Sequence, residues 1–406
     1  MPAAIYVVLV VTALIITVYM LKKGINVGAV MLIDSVFLVV LAGIPLDAAL
    51  KSAVEGAVSD KTLKLVLLLL LIMMLENIMR NSGMIRAMVE SLKELLGSNR
   101  LAAALLPTVI GLLPSPGGAR FSCPMVDEMI KENTDGANKA FINYWFRHIW
   151  LDGFILYPGA ILAAELLGIS VISLFLHLVP FIAVTIILGI IFGLMGVKKE
   201  TITRTRPRLK SLKDFTISML PVITLITLYI SLINFTDYSL ELASAVVVTA
   251  MLAIKKYDLR KTLRAIKEAF PIRLVVIIIG VMIFKEILFD SGIMDGLPGL
   301  IRDYGIPVWV LYLLLPFLGG FSSGITVSYV SITFPILIPL GLGDNLWSAA
   351  LAFAAGTIGS MITPLHLCAS MSADYFKTPI GKLLVRVAAV ETLLVFVMVV
   401  VMGMAG

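Results

Sequence analysis

The chain reads as an all-α polytopic membrane protein, built as two inverted repeats of five transmembrane helices. Each repeat is expected to carry a re-entrant helical hairpin and an unwound helix. Three observations predict this. Hydrophobic residues make up 60% of the chain and charged residues 14%, with a mean hydropathy of +1.04, which excludes an ordinary soluble domain. One apolar stretch, Leu105 to Met129, is interrupted by Pro114-Ser115-Pro116-Gly117-Gly118, through which no helix passes smoothly. A second broken stretch follows in the other half at a constant offset.

A bilayer span needs about 20 mostly apolar residues, and the first half offers spans near 3–21, 26–45, 65–80, 140–167 and 170–197. The run from Ala3 to Leu21 has no basic residue before it and Lys22 and Lys23 after it. That is the reverse of a secretory signal, so it is read as a helix of the mature chain. The second half offers spans near 215–234, 239–254, 274–289, 346–376 and 384–403. The broken stretches, about 101–131 and about 309–340, each lie between the third and fourth spans of their half. Short amphipathic segments, Met84 to Leu96 and Ile293 to Arg302, precede them and are expected along the two membrane interfaces.

A shift of 209 residues places Ser82-Gly83 on Ser291-Gly292, Pro107 on Pro316 and Gly111 on Gly320. Residues 1–197 are therefore read as the first repeat, 198–213 as a basic cytoplasmic linker and 214–406 as the second repeat. Five spans per half is an odd number, so the halves must be inverted. With both termini outside, 25 of the 32 Lys and Arg residues fall on the cytoplasmic side, as the positive-inside rule requires. The first hairpin then enters from the cytoplasm and the second from outside, in a cell-membrane protein. The net charge of +6 is accordingly a topology signal, and no nucleic-acid partner is expected.

Broken backbone at membrane depth is tolerated only where protein covers it or it lines a wet cavity. Paired interruptions in inverted repeats mark the midplane site of a secondary transporter. The first tip offers Ser115, Gly117 and Gly118, with Arg120 in the returning helix; a charge at that depth calls for an anionic partner. The second tip, Gly319 to Thr326, offers Ser322, Ser323, Gly324 and Thr326, whose hydroxyls and carbonyls suit a carboxylate or a small hard cation such as sodium. A further shift of 206 puts Gly153 on Gly359 and Pro158 on Pro364, so the fourth spans are expected to unwind at matching places. Thr363, Pro364 and His366 join the substrate site there. Asp152, with Gly153, Thr357 and Ser360, is the candidate site for a coupling proton or cation. Asp34 is a further carboxylate within a span and receives no role.

Other chemistries find weak support. Gly320-Phe321-Ser322-Ser323-Gly324 matches G-x-S-x-G, but the nucleophile elbow needs a strand-to-helix turn. An intramembrane serine hydrolase using Ser322 and His366 is the alternative, as is an ion channel of the same fold. The three histidines, His148, His177 and His366, show no metal-binding spacing. Cys123 and Cys368 read as small residues in apolar segments, so no metal and no cofactor other than sodium is expected. No phosphate-binding G-x-x-x-x-G-K-[ST] occurs, and the chain is read as not an enzyme.

The two five-span halves, the opposed hairpins and Thr363-Pro364-Leu365-His366 in the later unwound span resemble the ion transporter superfamily. That superfamily includes the divalent-anion sodium symporters and the gluconate, citrate and arsenite permeases. Within it, LLPSPGGARFSCP together with TPLHLC is similar to an uncharacterised prokaryotic integral-membrane family. The resemblance implies an elevator mechanism, usually in a homodimer, with hairpins and unwound spans moving as a block. It also implies that serine, asparagine and threonine at the hairpin tips hold sodium and the substrate carboxylate. Here Ser115, Gly117 and Gly118, and Ser322, Ser323 and Thr326, stand at those places. Neither tip has the asparagine, so Arg120 and Asp152 are the local substitutes. The expected function is secondary-active transport of a small anionic, carboxylate-like solute coupled to a proton or sodium gradient. The expected partners are that solute and membrane lipid.

Overall fold

The computed structural model describes residues 12, 16–17, 19–21, 23–114, 118–130, 134–202, 205–292 and 296–405. Helices account for nearly all of its regular structure, and among these residues the sole extended pairing is an isolated bridge between Ser98 and Thr201. In chain order the helices are α1 (Val27–Ala42), α2 (Leu46–Val58), α3 (Asp60–Asn81), α4 (Met84–Leu96), α5 (Asn99–Ile110) and α6 (Ala119–Met129). They continue as α7 (Gly136–Arg147), α8 (Pro158–Leu167), α9 (Val171–Gly189), α10 (Arg208–Leu232), α11 (Ser239–Ile254) and α12 (Leu259–Ala269). The remainder are α13 (Ile272–Asp290), α14 (Leu297–Asp303), α15 (Val308–Ser323), α16 (Thr326–Leu337), α17 (Leu346–Met361), α18 (Leu367–Tyr375) and α19 (Ile380–Ala405).

Several of these are long and apolar enough to cross a bilayer. Among the described residues, Leu46–Asn81, Val171–Leu194 and Arg208–Leu232 each meet that requirement by length and composition. The first joins α2 and α3 across Ser59, whose side chain accepts from the Thr62 N–H and restarts the helix. The chain is thus a helical membrane protein. Most of the expected first span, 3–21, lies outside the described residues.

The expected spans 140–167 and 346–376 are each two helices with an irregular middle, 148–157 and 362–366. Pro158 opens α8 at a position where its missing N–H costs nothing, and Tyr157 before it is extended. The stretches about 101–131 and about 309–340 are the helix pairs α5–α6 and α15–α16, whose members pack on one another. Of the segment 198–213, residues 208–213 are the first turns of α10 rather than linker. Pro207 precedes the helix and leaves good helix formers to open it. Residues 200–202 fold back over the α4–α5 junction, where the Asn99 N–H donates to the Glu200 carbonyl and the Ile202 N–H to the Gly97 carbonyl.

Three helices beside the breaks, α7, α16 and most of α17, are enclosed by protein on every side. In α7 every residue from Ala137 to Arg147 is buried, as is all of α16 and α17 from Ala349 to Met361. Helices buried all round form the interior of a large bundle. By contrast, α10 leaves a wide apolar face outward. At the aqueous end of α7, Asp135 caps the helix. Its carboxyl is held below the ordinary range, first by the Lys382 ammonium and then by the Ala137 N–H.

Close backbone approach sets the crossing of α15 and α17. A Cβ built on Gly320 would lie 2.0 Å from the Gly356 carbonyl oxygen, and one on Gly111 would lie 2.2 Å from the Arg147 carbonyl oxygen. Backbone cannot move aside as a side chain can, so Gly320→Ala should destabilise the protein by about 1–3 kcal/mol or more. Its melting temperature in detergent should fall well below that of Gly299→Ala, whose Cβ meets nothing within 4 Å. Equal melting of the two variants would contradict the described crossing.

Candidate functional site

The first break begins where α7 stops at Arg147. Leu151 and Asp152 follow in left-handed conformation, with φ of 50° and 52°. Two consecutive non-glycine residues there cost roughly 1–2 kcal/mol each, so neighbours must hold them. The Thr357 hydroxyl of α17 donates to the Leu151 carbonyl at 2.9 Å. The indole N–H of Trp150 donates to the Thr108 carbonyl at 3.1 Å, and the Tyr157 hydroxyl to the Gly111 carbonyl at 2.5 Å. At the end of α17, just before the second break, the Tyr144 hydroxyl donates to the Met361 carbonyl at 3.0 Å. Side chains thereby satisfy backbone oxygens that an unbroken helix would satisfy itself.

Each helix pair brings its turn to a break. At the first turn, Ser115 and Gly117 lie outside the described residues. Gly118 is buried against the Arg147 guanidinium, and a Cβ there would come within 2.3 Å of Nη2. At the second turn, Gly324 ends α15 with φ 67°, a conformation in which glycine avoids the Cβ penalty. It sits against the backbone of Leu365 and His366. Thr326 then opens α16, and its hydroxyl donates to Asp152 Oδ2 at 2.7 Å. That bond ties the second turn to the first break.

Two histidines meet between the breaks. His148 Nδ1 lies 2.7 Å from the Tyr144 carbonyl, and His366 Nδ1 lies 3.1 Å from the Ser360 carbonyl. A carbonyl only accepts, so both Nδ1 atoms are donors and both Nε2 atoms are left to face each other, 3.1 Å apart. Cys368 completes the group, its sulfur within hydrogen-bond reach of His148 and of the Arg147 guanidinium. The ligand atoms of His148, His366 and Cys368 lie within 4.8 Å of one another. Arg147, His148, Asp152 and His366 are all buried.

Of the residues singled out in the sequence, Gly118, Gly324, Thr326, Asp152, Thr357, Ser360, Thr363 and His366 line or support this centre, and Gly153 packs in the first break against Leu178 and Phe353. Arg120 does not. The buried face of α6 is Ala119, Ser122, Cys123, Val126 and Met129, which leaves Arg120 exposed on the opposite side. The buried cation at the first turn is Arg147. Pro364 is exposed, and its carbonyl accepts from the Ser370 hydroxyl. Ser322 and Ser323 end α15, with the Ser323 hydroxyl donating back to the Gly319 carbonyl at 2.8 Å. Ser322 therefore sits on a helix end and not on a strand-to-helix turn, and both ring nitrogens of His366 point to other partners.

Sequence reasoning passed over Arg147, His148 and Cys368 as site residues. Their signal was weak, because 218 residues separate the two histidines. Four further buried acids lie elsewhere among the described residues: Asp34, Glu76, Glu241 and Glu391. Asp34 accepts from the Thr17 hydroxyl at 2.5 Å, and Glu391 is buried in α19.

The model of a protein family of unknown function, DUF401, matches residues 4–405. The chain therefore belongs to that family. No curated protein matches the chain.

Thr357 provides a local test of the site. Thr357→Val keeps the shape but removes the donor to Leu151, and it should cost about 1–2 kcal/mol. Thr357→Ser should recover most of that loss in thermal melting. Equal melting of the two variants would show that the hydroxyl does not hold the break.

Proposed function

We propose that this family member is a secondary-active transporter that carries a small anion on the Arg147 guanidinium and couples its movement to a proton or sodium gradient. The observation that carries the reading is the place of Arg147. It is 4% exposed, beneath the first hairpin turn and at the end of a broken helix. Five donors in a planar fork suit a carboxylate or an oxyanion. The charge that Arg120 was expected to supply is thus supplied by Arg147.

An inverted repeat is supported by helix positions. Asn99 and Val308, Pro158 and Leu367, and Val171 and Ile380 each open a helix and are each 209 residues apart. The close contacts repeat at the same offset: Gly111 lies on the Arg147 carbonyl as Gly320 lies on that of Gly356. In this reading the units are residues 1–197 and 214–406, α5–α6 and α15–α16 re-enter from opposite sides, and both termini lie outside. The hairpins and the broken helices α7–α8 and α17–α18 move as one block against α1–α4 and α10–α13. This is the elevator arrangement of the ion transporter superfamily, used there in homodimers. Asp152, held to the second turn by Thr326, is the coupling site, and sodium is the candidate ion at the turns.

A ligand that binds the folded state at 100 times its Kd adds about 2.7 kcal/mol of stability. In a melting screen of citrate, succinate, gluconate, sulfate and phosphate, with and without sodium, at least one anion should raise the melting temperature. Arg147→Gln should abolish that shift while Arg147→Lys weakens it. A shift that survives in Arg147→Gln would remove Arg147 from the site, and no shift with any anion would count against the anionic substrate class. In proteoliposomes, Asp152→Asn should let the same anion equilibrate without responding to a proton or sodium gradient. Intact gradient dependence in that variant would place coupling elsewhere.

A further inference from the structure

We propose that His148, His366 and Cys368 form a binding site for one thiophilic transition-metal ion of the Zn2+ or Cu+ class, held between the two broken helices. The inference stands on the geometry of the three side chains and does not rest on the transport reading. Metal-bound histidines characteristically donate their other ring N–H to a carbonyl or carboxylate, which fixes tautomer and ring direction. Both histidines here do so, to Tyr144 and Ser360, and both are thereby aimed at one point. Tyr144 packs edge-on against both rings, at 4.9 and 5.3 Å between centroids, and limits their rotation.

Two Nε2 lone pairs facing each other at 3.1 Å repel unless a proton or a metal ion lies between them. A tetrahedral ion with bonds of about 2.0–2.1 Å to each nitrogen holds them roughly 3.3 Å apart, close to the distance observed. Cys368 brings the third donor within 4.8 Å. On binding, the S–H bond breaks, a metal–sulfur bond forms and both Nε2 lone pairs donate to the ion. The proton leaves to solvent, and no electrons change hands. One position stays open for a fourth ligand. Sulfur and imidazole donors select zinc and cuprous copper over sodium, magnesium and calcium. The nearby Arg147 charge opposes a bound cation, and the coordinated thiolate offsets it.

Cobalt(II) is a spectroscopic stand-in for zinc. Titrated into the reduced, chelator-treated full chain in detergent, Co2+ should bind at one equivalent per chain. It should give a sulfur-to-cobalt charge-transfer band and intense tetrahedral visible bands, both abolished by one equivalent of Zn2+. Cys368→Ser should lose the charge-transfer band, His366→Gln should weaken binding at least tenfold, and Cys123→Ser should leave the spectrum unchanged. Absence of a charge-transfer band in the wild-type protein with excess Co2+ would overturn the proposal without recourse to any variant. A band that persists in Cys368→Ser and vanishes in Cys123→Ser would overturn it equally.

Discussion

Backbone groups within apolar protein must find partners, and this constraint governs the arrangement around the two breaks. An unbroken helix satisfies its own carbonyls, whereas the segments 148–157 and 362–366 do not. Thr357 supplies a donor to Leu151 within the first break, and Tyr157, Trp150 and Tyr144 cap carbonyls at the neighbouring helix ends, Gly111 and Thr108 of the α5 end and Met361 of the α17 end. Each donor lies on a different element from its acceptor, so the breaks persist only while the helix pairs and the broken helices stay packed. The glycine approaches at Gly111 and Gly320 let those backbones come close enough for this to happen.

The same requirement produces the chemistry. Leu151 and Asp152 are held in left-handed conformation by the bonds around them, and such strain persists where surrounding structure over-determines it. The result is a buried carboxylate fixed to Thr326, a buried guanidinium under Gly118 and two imidazoles facing each other beside a thiol. Charged and ligating groups at such depth are costly, which makes a functional role their default explanation. The proposed anion site and the proposed metal site draw on neighbouring residues but depend on different atoms, the Arg147 guanidinium in one case and Nε2 and sulfur in the other.

Much of the fold was legible in the sequence, because its signals are local. Proline and glycine marked both turns and both breaks, and the length of apolar runs marked the helices. The basic segment runs on into α10 from Arg208, because Lys and Arg are as much at home in the opening of a helix as in a loop. The site was legible in part. Asp152, Thr326, His366 and Thr357 announced themselves as polar residues in apolar spans. Arg120 is next to the turn in sequence, while the buried period of Ala119, Ser122, Cys123 and Val126 puts it on the exposed side. His148 and Cys368 were illegible as partners of His366, since only the crossing of distant helices brings them together. Spacing rules detect ligands that one helix or loop presents, not ligands assembled from two breaks.

The second hairpin turn and the first broken helix form one unit, joined through Thr326 and Asp152. A double-mutant cycle with Thr326→Val, Asp152→Asn and the double variant, read by thermal melting in detergent, measures that join directly. A hydrogen bond to a buried carboxylate predicts an interaction energy of about 1.5–3 kcal/mol between the two positions. Strictly additive losses would contradict the account.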